Sequence, residues 1–319
     1  MSQTDVFIGI DTSCYTTSTA VLDRQGSLLA EERRVLNVKN GQRGLAQSEM
    51  IFQHTRNLPE LLEIIFARHD LKVAGIGVTN KPRPLDSSYM PAFLSGAGCA
   101  RTLSCVLNVP LFLISHQENH LEAALWSVMP PTKNRLLMLH ASGGTTDFLL
   151  VELKTNQRHQ LTNVGGSVDL QGGQFIDRVG VALGLSFPAG AALEKLARSA
   201  AGIFSLPVAV KGGQISFSGP ATAALRAIDA GNEPADIARG VEAAIASSFA
   251  SAIINISKEQ EFNEVIVVGG ISANIYIRET LTAKLRSRGM TTYFPKPAYS
   301  TDNAVGCAAA ALRLSGVEL

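Results

Sequence analysis

The chain has 319 residues, is 46% apolar, and sets 28 Lys and Arg against 27 Asp and Glu for a net charge of +1. That is more material than one compact core usually needs, so two lobes are expected. The near-balance of charge excludes a global basic field able to hold nucleic acid by phosphate neutralisation alone, and any such contact must be local or shared with a partner. Cys14, Cys99, Cys105 and Cys307 form no C-x-x-C pair and no signal sequence precedes the run VFIGI, which fits a reduced, cytoplasmic setting.

Taken in order, VFIGIDTSCYTTSTAVLD (6–23) is two apolar segments around a turn of small and hydroxyl residues, a β-hairpin pattern. MIFQHTRNLPELLEIIFARH (50–69) has helical spacing, VAGIGVT (73–79) reads as a short buried strand, and AFLSGAGCARTLSCVLN (92–108) as a helix leading into the strand VPLFLI (109–114). Strands alternating with helices imply parallel pairing. LLMLHASGGTTDFLLVEL (136–153) repeats the strand, turn, strand pattern of the N-terminus, and an internal duplication explains it economically. A helix through FIDRVGVALGL (175–185) follows, then a loop rich in Gly and Pro up to ISFSG (215–219). GVEAAIASSFASAIINIS (240–257) is long and apolar but carries Glu242 and several serines, which suits a buried helix better than a membrane span. EVIVVGGISAN (264–274) reads as strand, glycine turn and helix start, and Lys284, Arg286 and Arg288 as the solvated end of that helix. TTYFPKP (291–297) reads as a strand and DNAVGCAAAALRL (302–314) as a terminal helix.

Three features carry chemistry. Ser142-Gly143-Gly144-Thr145-Thr146 presents backbone N–H groups and hydroxyls that can approach an anion without Cβ hindrance, although a plain hairpin turn has the same composition. The matching turn at Thr12-Ser13 and Thr16-Thr17-Ser18, with Asp11 at its strand end, favours phosphate, since two such hairpins facing one another describe a nucleotide cleft. Gly269-Gly270-Ile271-Ser272-Ala273-Asn274 could let a flat ring lie against the backbone, or could be an ordinary strand-to-helix turn. His116 and His120 of HQENH stand four apart, on one face if helical, and can supply two imidazoles to one ion. A third ligand could be Asp302, which would otherwise be an N-cap. The zinc-protease pattern H-E-x-x-H fails, because Glu118 lies two residues after His116 and off the ligand face. His54, His69, His140 and His159 show no comparable spacing.

IGIDTSC, HQENH, SGGTT, FIDRVGVALGLSFPAG, ISFSG, GGISAN and STDNA form a collinear series. It resembles, over nearly the whole chain, the TsaD family, the tRNA threonylcarbamoyladenosine synthase subunit formerly called O-sialoglycoprotein endopeptidase. The resemblance implies an α/β, two-lobed actin-like ATPase (ASKHA) fold with duplicated halves and a central nucleotide cleft. The first lobe would be residues 1–125 completed by the C-terminal helix 303–319, and the second 126–302. It implies His116, His120 and Asp302 as ligands of one divalent ion, iron or zinc, and Asp11, where the family usually has Glu, as the catalytic residue. His140, Ala141, Ser142, Gly143, Gly144, Asp177, Gly190 and Asn274 would bind ATP, AMP or an acyl-adenylate. The family transfers a threonylcarbamoyl group from its adenylate to N6 of an adenosine next to the tRNA anticodon. The implied partners are tRNA, partner proteins, and a TsaB-like subunit or a second copy, with no membrane.

The chain departs from the family pattern at Cys14-Tyr15-Thr16-Thr17, where an acidic pair is lost, and at Lys81-Pro82-Arg83-Pro84-Leu85, which replaces a G-P-G-L turn. Pro220-Ala221 stands where a lysine is expected, and Arg178 follows Asp177 in place of lysine. These departures point to a divergent paralogue, with three readings open: transfer to tRNA, carbamoylation of another acceptor, or a noncatalytic nucleotide-binding scaffold. A sugar or acetate kinase has no use for the histidine pair.

Overall fold

The computed structural model describes residues 4–38, 45–68, 70–128 and 131–316, so His69 lies outside the described residues. The chain forms two compact units. The first comprises residues 1–130, 153–159 and 298–319, and the second 131–152 and 160–297.

The first unit opens with β1 (Thr4–Asp11), β2 (Thr16–Asp23) and β3 (Leu28–Val35), an antiparallel meander. After α1 (Gln47–Arg68), β4 (Leu71–Lys81) returns parallel to β1; after α2 (Phe93–Leu107), β5 (Leu111–Ser115) returns parallel to β4. The sheet order is β3-β2-β1-β4-β5. Alternation along β1 sends Val6, Ile8 and Ile10 into one core with Leu58 and Ile65 of α1 and Ala100 of α2. Phe7 faces the other way, packing with Ala311 and Leu312 of the C-terminal helix (Val305–Leu314). On that face Gly9 and Gly77 are required: a Cβ would stand 2.0 Å from the Ala304 carbonyl and 1.9 Å from the Cys307 carbonyl. α3 (His116–Ser127) begins directly where β5 ends.

The second unit repeats the plan. β6 (Arg135–Ala141), β7 (Thr146–Glu152) and β8 (Gln160–Ser167) form the meander. α4 (Gly172–Ala182), α5 (Gly190–Ala197), the short β9 (Ala209–Lys211) and β10 (Gln214–Ser216), α6 (Ser218–Asp229) and α7 (Pro234–Ile256) follow. β11 (Glu264–Val268) then pairs parallel to β6, and after α8 (Ile275–Arg286) β12 (Thr291–Tyr293) pairs parallel to β11. Within the order β12-β11-β6-β7-β8-β10-β9, the stretch from β8 to β12 reproduces the first unit strand for strand. α7 is long and apolar enough to cross a membrane, but 72% of its apolar window is buried, with Ile237, Val241, Ile245, Phe249 and Ile253 in the core of the unit.

The structure adds elements to the expected series. β3 and β8 are strands of half-buried, polar-rich sequence, and 190–197 is a helix inside the stretch expected to be loop. Residues 270–273 make a single 3₁₀ turn before α8, and the strand expected over 291–297 is three residues long.

Candidate functional site

Ser115 is the N-cap of α3. Its Oγ accepts from the Glu118 N–H at 3.2 Å while the Glu118 carboxylate accepts from the Ser115 N–H at 2.6 Å, a reciprocal capping box. Glu118 is therefore engaged in starting the helix, a role that the S-x-x-E spacing at 115–118 already signals in the sequence. The cap places His116 at the first helical position and His120 one turn on, with ring centroids 4.4 Å apart. The two Nε2 atoms are 3.1 Å apart, and Asp302 Oδ1 lies 3.6 Å from the first and 3.5 Å from the second. His116 and His120 are 8% and 1% exposed.

These distances test whether the trio suits one ion. Two ligands about 2.1 Å from a tetrahedral metal lie roughly 3.4 Å apart, which the three observed separations bracket. Two imidazoles and a carboxylate also suit iron or zinc. The electrostatics agree: burial, then His120, push the His116 pKa below its usual value against the pull of Asp302 and Asp11, which keeps a ring nitrogen available as a donor. Burial alone would raise the Asp302 carboxyl, but the His120 hydrogen bond and the charges of His116, His120 and Arg33 outweigh it and hold it below the usual range. Asp302 does not cap the C-terminal helix; Asn303 does, its Oδ1 accepting from the Val305 N–H at 3.0 Å.

Asp11 sits at the end of β1, fully buried, with Oδ2 3.8 Å from His116 Nδ1. Its carboxylate accepts from Ser13 N (3.0 Å), Ser13 Oγ (2.7 Å), Thr79 Oγ1 (2.5 Å) and Asn119 Nδ2 (3.2 Å). The hairpin turn beyond it is held by His54 of α1. There Nε2 lies 3.2 Å from the Cys14 carbonyl and Nδ1 2.9 Å from Thr17 Oγ1. Sequence reading missed Asn119 and His54; their partners lie far away in the chain, so spacing carries no trace of them.

In the second unit the predicted positions His140 to Gly144 lie at the β6–β7 turn. His140 and Ala141 end β6, paired with Asp147 and Thr146, and Ser142 N donates to Thr145 O at 2.8 Å to close the turn. Gly143, Gly144 and Gly270 have open space where a Cβ would project. Gly173 at the head of α4 is the opposite case, since a Cβ there would stand 2.6 Å from Gly143 Cα and from the Ser142 carbonyl. The two glycines that open α4 thus let a helix N-terminus meet the turn; the Gly172 N–H donates to Thr146 Oγ1 (2.9 Å) and that of Gly173 to Ser142 O (3.3 Å). Gly269 leaves β11 with φ 91° directly against Ala141. Open glycine backbone beside a helix N-terminus suits an anion.

Asp177 of α4 accepts from the Ala189 N–H at 2.7 Å, which brings it beside Gly190 at the start of α5, and burial raises its pKa against that bond. Asn274 is engaged on both sides: Oδ1 caps α8 by accepting from Ile277 N (2.9 Å), and Nδ2 donates to the buried Glu242 at 2.6 Å. Its side chain serves the junction of α7 and α8.

The doubled meander with two parallel returning strands defines an actin-like ATPase fold. Solved structures sharing it include component A of (R)-2-hydroxyglutaryl-CoA dehydratase from Acidaminococcus fermentans (TM-score 0.57, 15% identity, 98% of this chain and 99% of that one). A ROK family glucokinase from Streptomyces griseus matches with TM-score 0.55 at 11% identity, over 96% of this chain and 99% of that one. The family model described as TsaD, tRNA N6-adenosine threonylcarbamoyltransferase, matches residues 32–309. Proteins of that name from Thiobacillus denitrificans and Thermus thermophilus are 31% and 30% identical, over 97% and 96% of this chain and 91% and 92% of their own lengths. The chain belongs to the TsaD family, a family of transferases.

Proposed function

We propose that this chain transfers a threonylcarbamoyl group from its adenylate to N6 of an adenosine next to the tRNA anticodon, and that His116, His120 and Asp302 hold one divalent ion, iron or zinc. The convergence of two imidazole Nε2 atoms and one carboxylate oxygen within 3.6 Å carries the reading. When bound, such an ion supplies Lewis-acid polarisation of a carbonyl or phosphoryl oxygen. The chain's own residues do the rest. Asp11, pinned by four donors, orients His116 from behind its Nδ1, a positioning task in place of direct attack. The open backbone at Gly143, Gly144 and Gly270 receives the phosphate of ATP, AMP or the adenylate. Asp177, set by Ala189, takes a ribose hydroxyl, and Gly190 permits close approach. The transfer forms a bond between N6 and the carbamoyl carbon, breaks an N6–H bond and the bond from that carbon to the phosphate oxygen, and releases AMP and the proton to solvent; no protein nucleophile is needed. Partner proteins of the pathway, including a TsaB-like subunit or a second copy, complete the system.

Elemental analysis of wild type beside His116→Ala tests this directly. About one ion per chain is expected in the first and none in the second. Reconstituted modification of tRNA with the pathway's partner enzymes should be lost in the same variant. Wild type produced with ample iron and zinc and yet holding no ion would overturn the reading. A second reading, transfer to another acceptor, is favoured by the segment Lys81–Leu85: its Pro82 carbonyl accepts from the Gln117 N–H at 3.2 Å, so the broken family motif lies on the first turn of α3. Intact ion and adenylate binding with unmodified tRNA would support it.

A further inference from the structure

Between the two histidines on α3 lies Asn119, fully buried. One proton of its amide goes to Asp11 Oδ2 at 3.2 Å and the other to the Asn303 carbonyl at 2.7 Å. Both partners are acceptors, so the amide nitrogen must face them, and its orientation is settled by chemistry. Asp11 is the group behind His116 Nδ1, and Asn303 directly follows Asp302. Asn303 in turn ties up its own loop, donating from Nδ2 to Thr301 O (2.8 Å) and Tyr299 O (3.3 Å) while capping the C-terminal helix. The position leaves no slack, because a Cβ on Gly306 would stand 2.0 Å from the Asn119 carbonyl and 2.5 Å from its Oδ1.

From this geometry we infer that Asn119 is the positioning residue that sets Asp302 against the histidine pair. One carboxamide bridges the support of the first imidazole, 108 positions before it, and the loop that carries the carboxylate, 184 positions after it. It touches neither substrate nor ion, and acts by fixing the separation between donors that belong to different segments. The inference rests on the metal reading above.

Titration of Co²⁺ into metal-free protein tests it, with the visible d–d spectrum as a readout that reports ligand geometry and is insensitive to general loss of stability. Asn119→Ala should bind Co²⁺ roughly 10- to 100-fold more weakly than wild type and with a changed spectrum, the range seen when supports of metal ligands are removed. In an Asp302→Ala background the same substitution should cost clearly less than in wild type, since the share of its effect that passes through Asp302 is already gone. If Asn119→Ala does not fold, Asn119→Ser keeps a hydroxyl donor near Asp11 without spanning to Asn303, and a weakened, spectrally altered site is expected there too. Wild-type affinity and spectrum in a folded Asn119 variant would overturn the inference, as would an equal loss in the Asp302→Ala background. Failure of the underlying metal reading is separately visible: wild type would then take up no Co²⁺, or His116→Ala would bind as well as wild type.

Discussion

Asp11→Ala separates a positioning role for this carboxylate from a direct catalytic one. Four buried donors converge on Asp11: the Ser13 N–H, the Ser13 and Thr79 hydroxyls, and the Asn119 amide. The hydroxyls can rotate to other acceptors, and Asn119 retains its bond to Asn303. The Ser13 N–H and one Asn119 proton are left stranded, at about 1–3 kcal/mol each, or about 4 kcal/mol together. Such a loss is large beside a typical total stability of about 5–15 kcal/mol. For a unit of this size each kcal/mol lowers Tm by about 2–4 °C, so Asp11→Ala should melt roughly 8–16 °C below wild type. Asp11→Asn keeps the shape but turns an N–H toward one of the donors, and should fall between the two. Scanning calorimetry with metal-free protein gives the answer without interference from bound ions. If Asp11→Ala melts within about 2 °C of wild type and yet abolishes transfer, the network is not structural and Asp11 acts on the substrate itself.

Other substitutions probe the remaining parts. Glu118→Ala removes one half of the capping box and should cost about 1 kcal/mol, read as a small drop in Tm together with weaker metal binding, because His116 sits in the turn that frays. Gly173→Ala drives a Cβ to 2.6 Å from Gly143 and should cost about 1–3 kcal/mol by overpacking. It should weaken AMP binding by calorimetric titration, and unchanged affinity in the folded variant would refute a role for this turn in holding the phosphate. His54 is kept below its usual pKa chiefly by burial, against the opposing pull of Asp11, the Cys14 carbonyl and Asp302. In the window below about pH 6.5 the unfolded chain therefore carries the proton that the folded one refuses, so stability falls as pH falls. Tm should drop between about pH 7.5 and about pH 5.5 by more in wild type than in His54→Gln, and equal drops would refute the assignment.

What the sequence made legible follows from how local each signal is. The two strand, turn, strand patterns at 6–23 and 136–153 are complete within themselves, and the duplication read from them reappears as one strand order used twice. β3 escaped because Glu31, Glu32, Arg33 and Arg34 break the apolar alternation; it covers β2 at the sheet edge, where long polar side chains are tolerated. β8 escaped for a similar reason, since NVGGS carries turn residues inside a strand. The helix at 190–197 was hidden by the Gly and Pro on either side of it. At the candidate site, the i, i+4 histidines are visible to anyone counting along a helix. The Asn119 bridge is not, because its meaning depends on a carbonyl 184 residues further on.

The first unit is sewn shut from both ends. Its sheet is finished by residue 115, yet the helix that covers Gly9 and Gly77 begins at residue 305, with the whole second unit threaded between. During synthesis the second unit is made before the first acquires its covering helix and the Asp302 carboxylate, so the bare glycine face must wait, exposed, while residues 116–304 are added. Translation arrested anywhere short of that point yields a half-dressed sheet ready for chaperones or proteases.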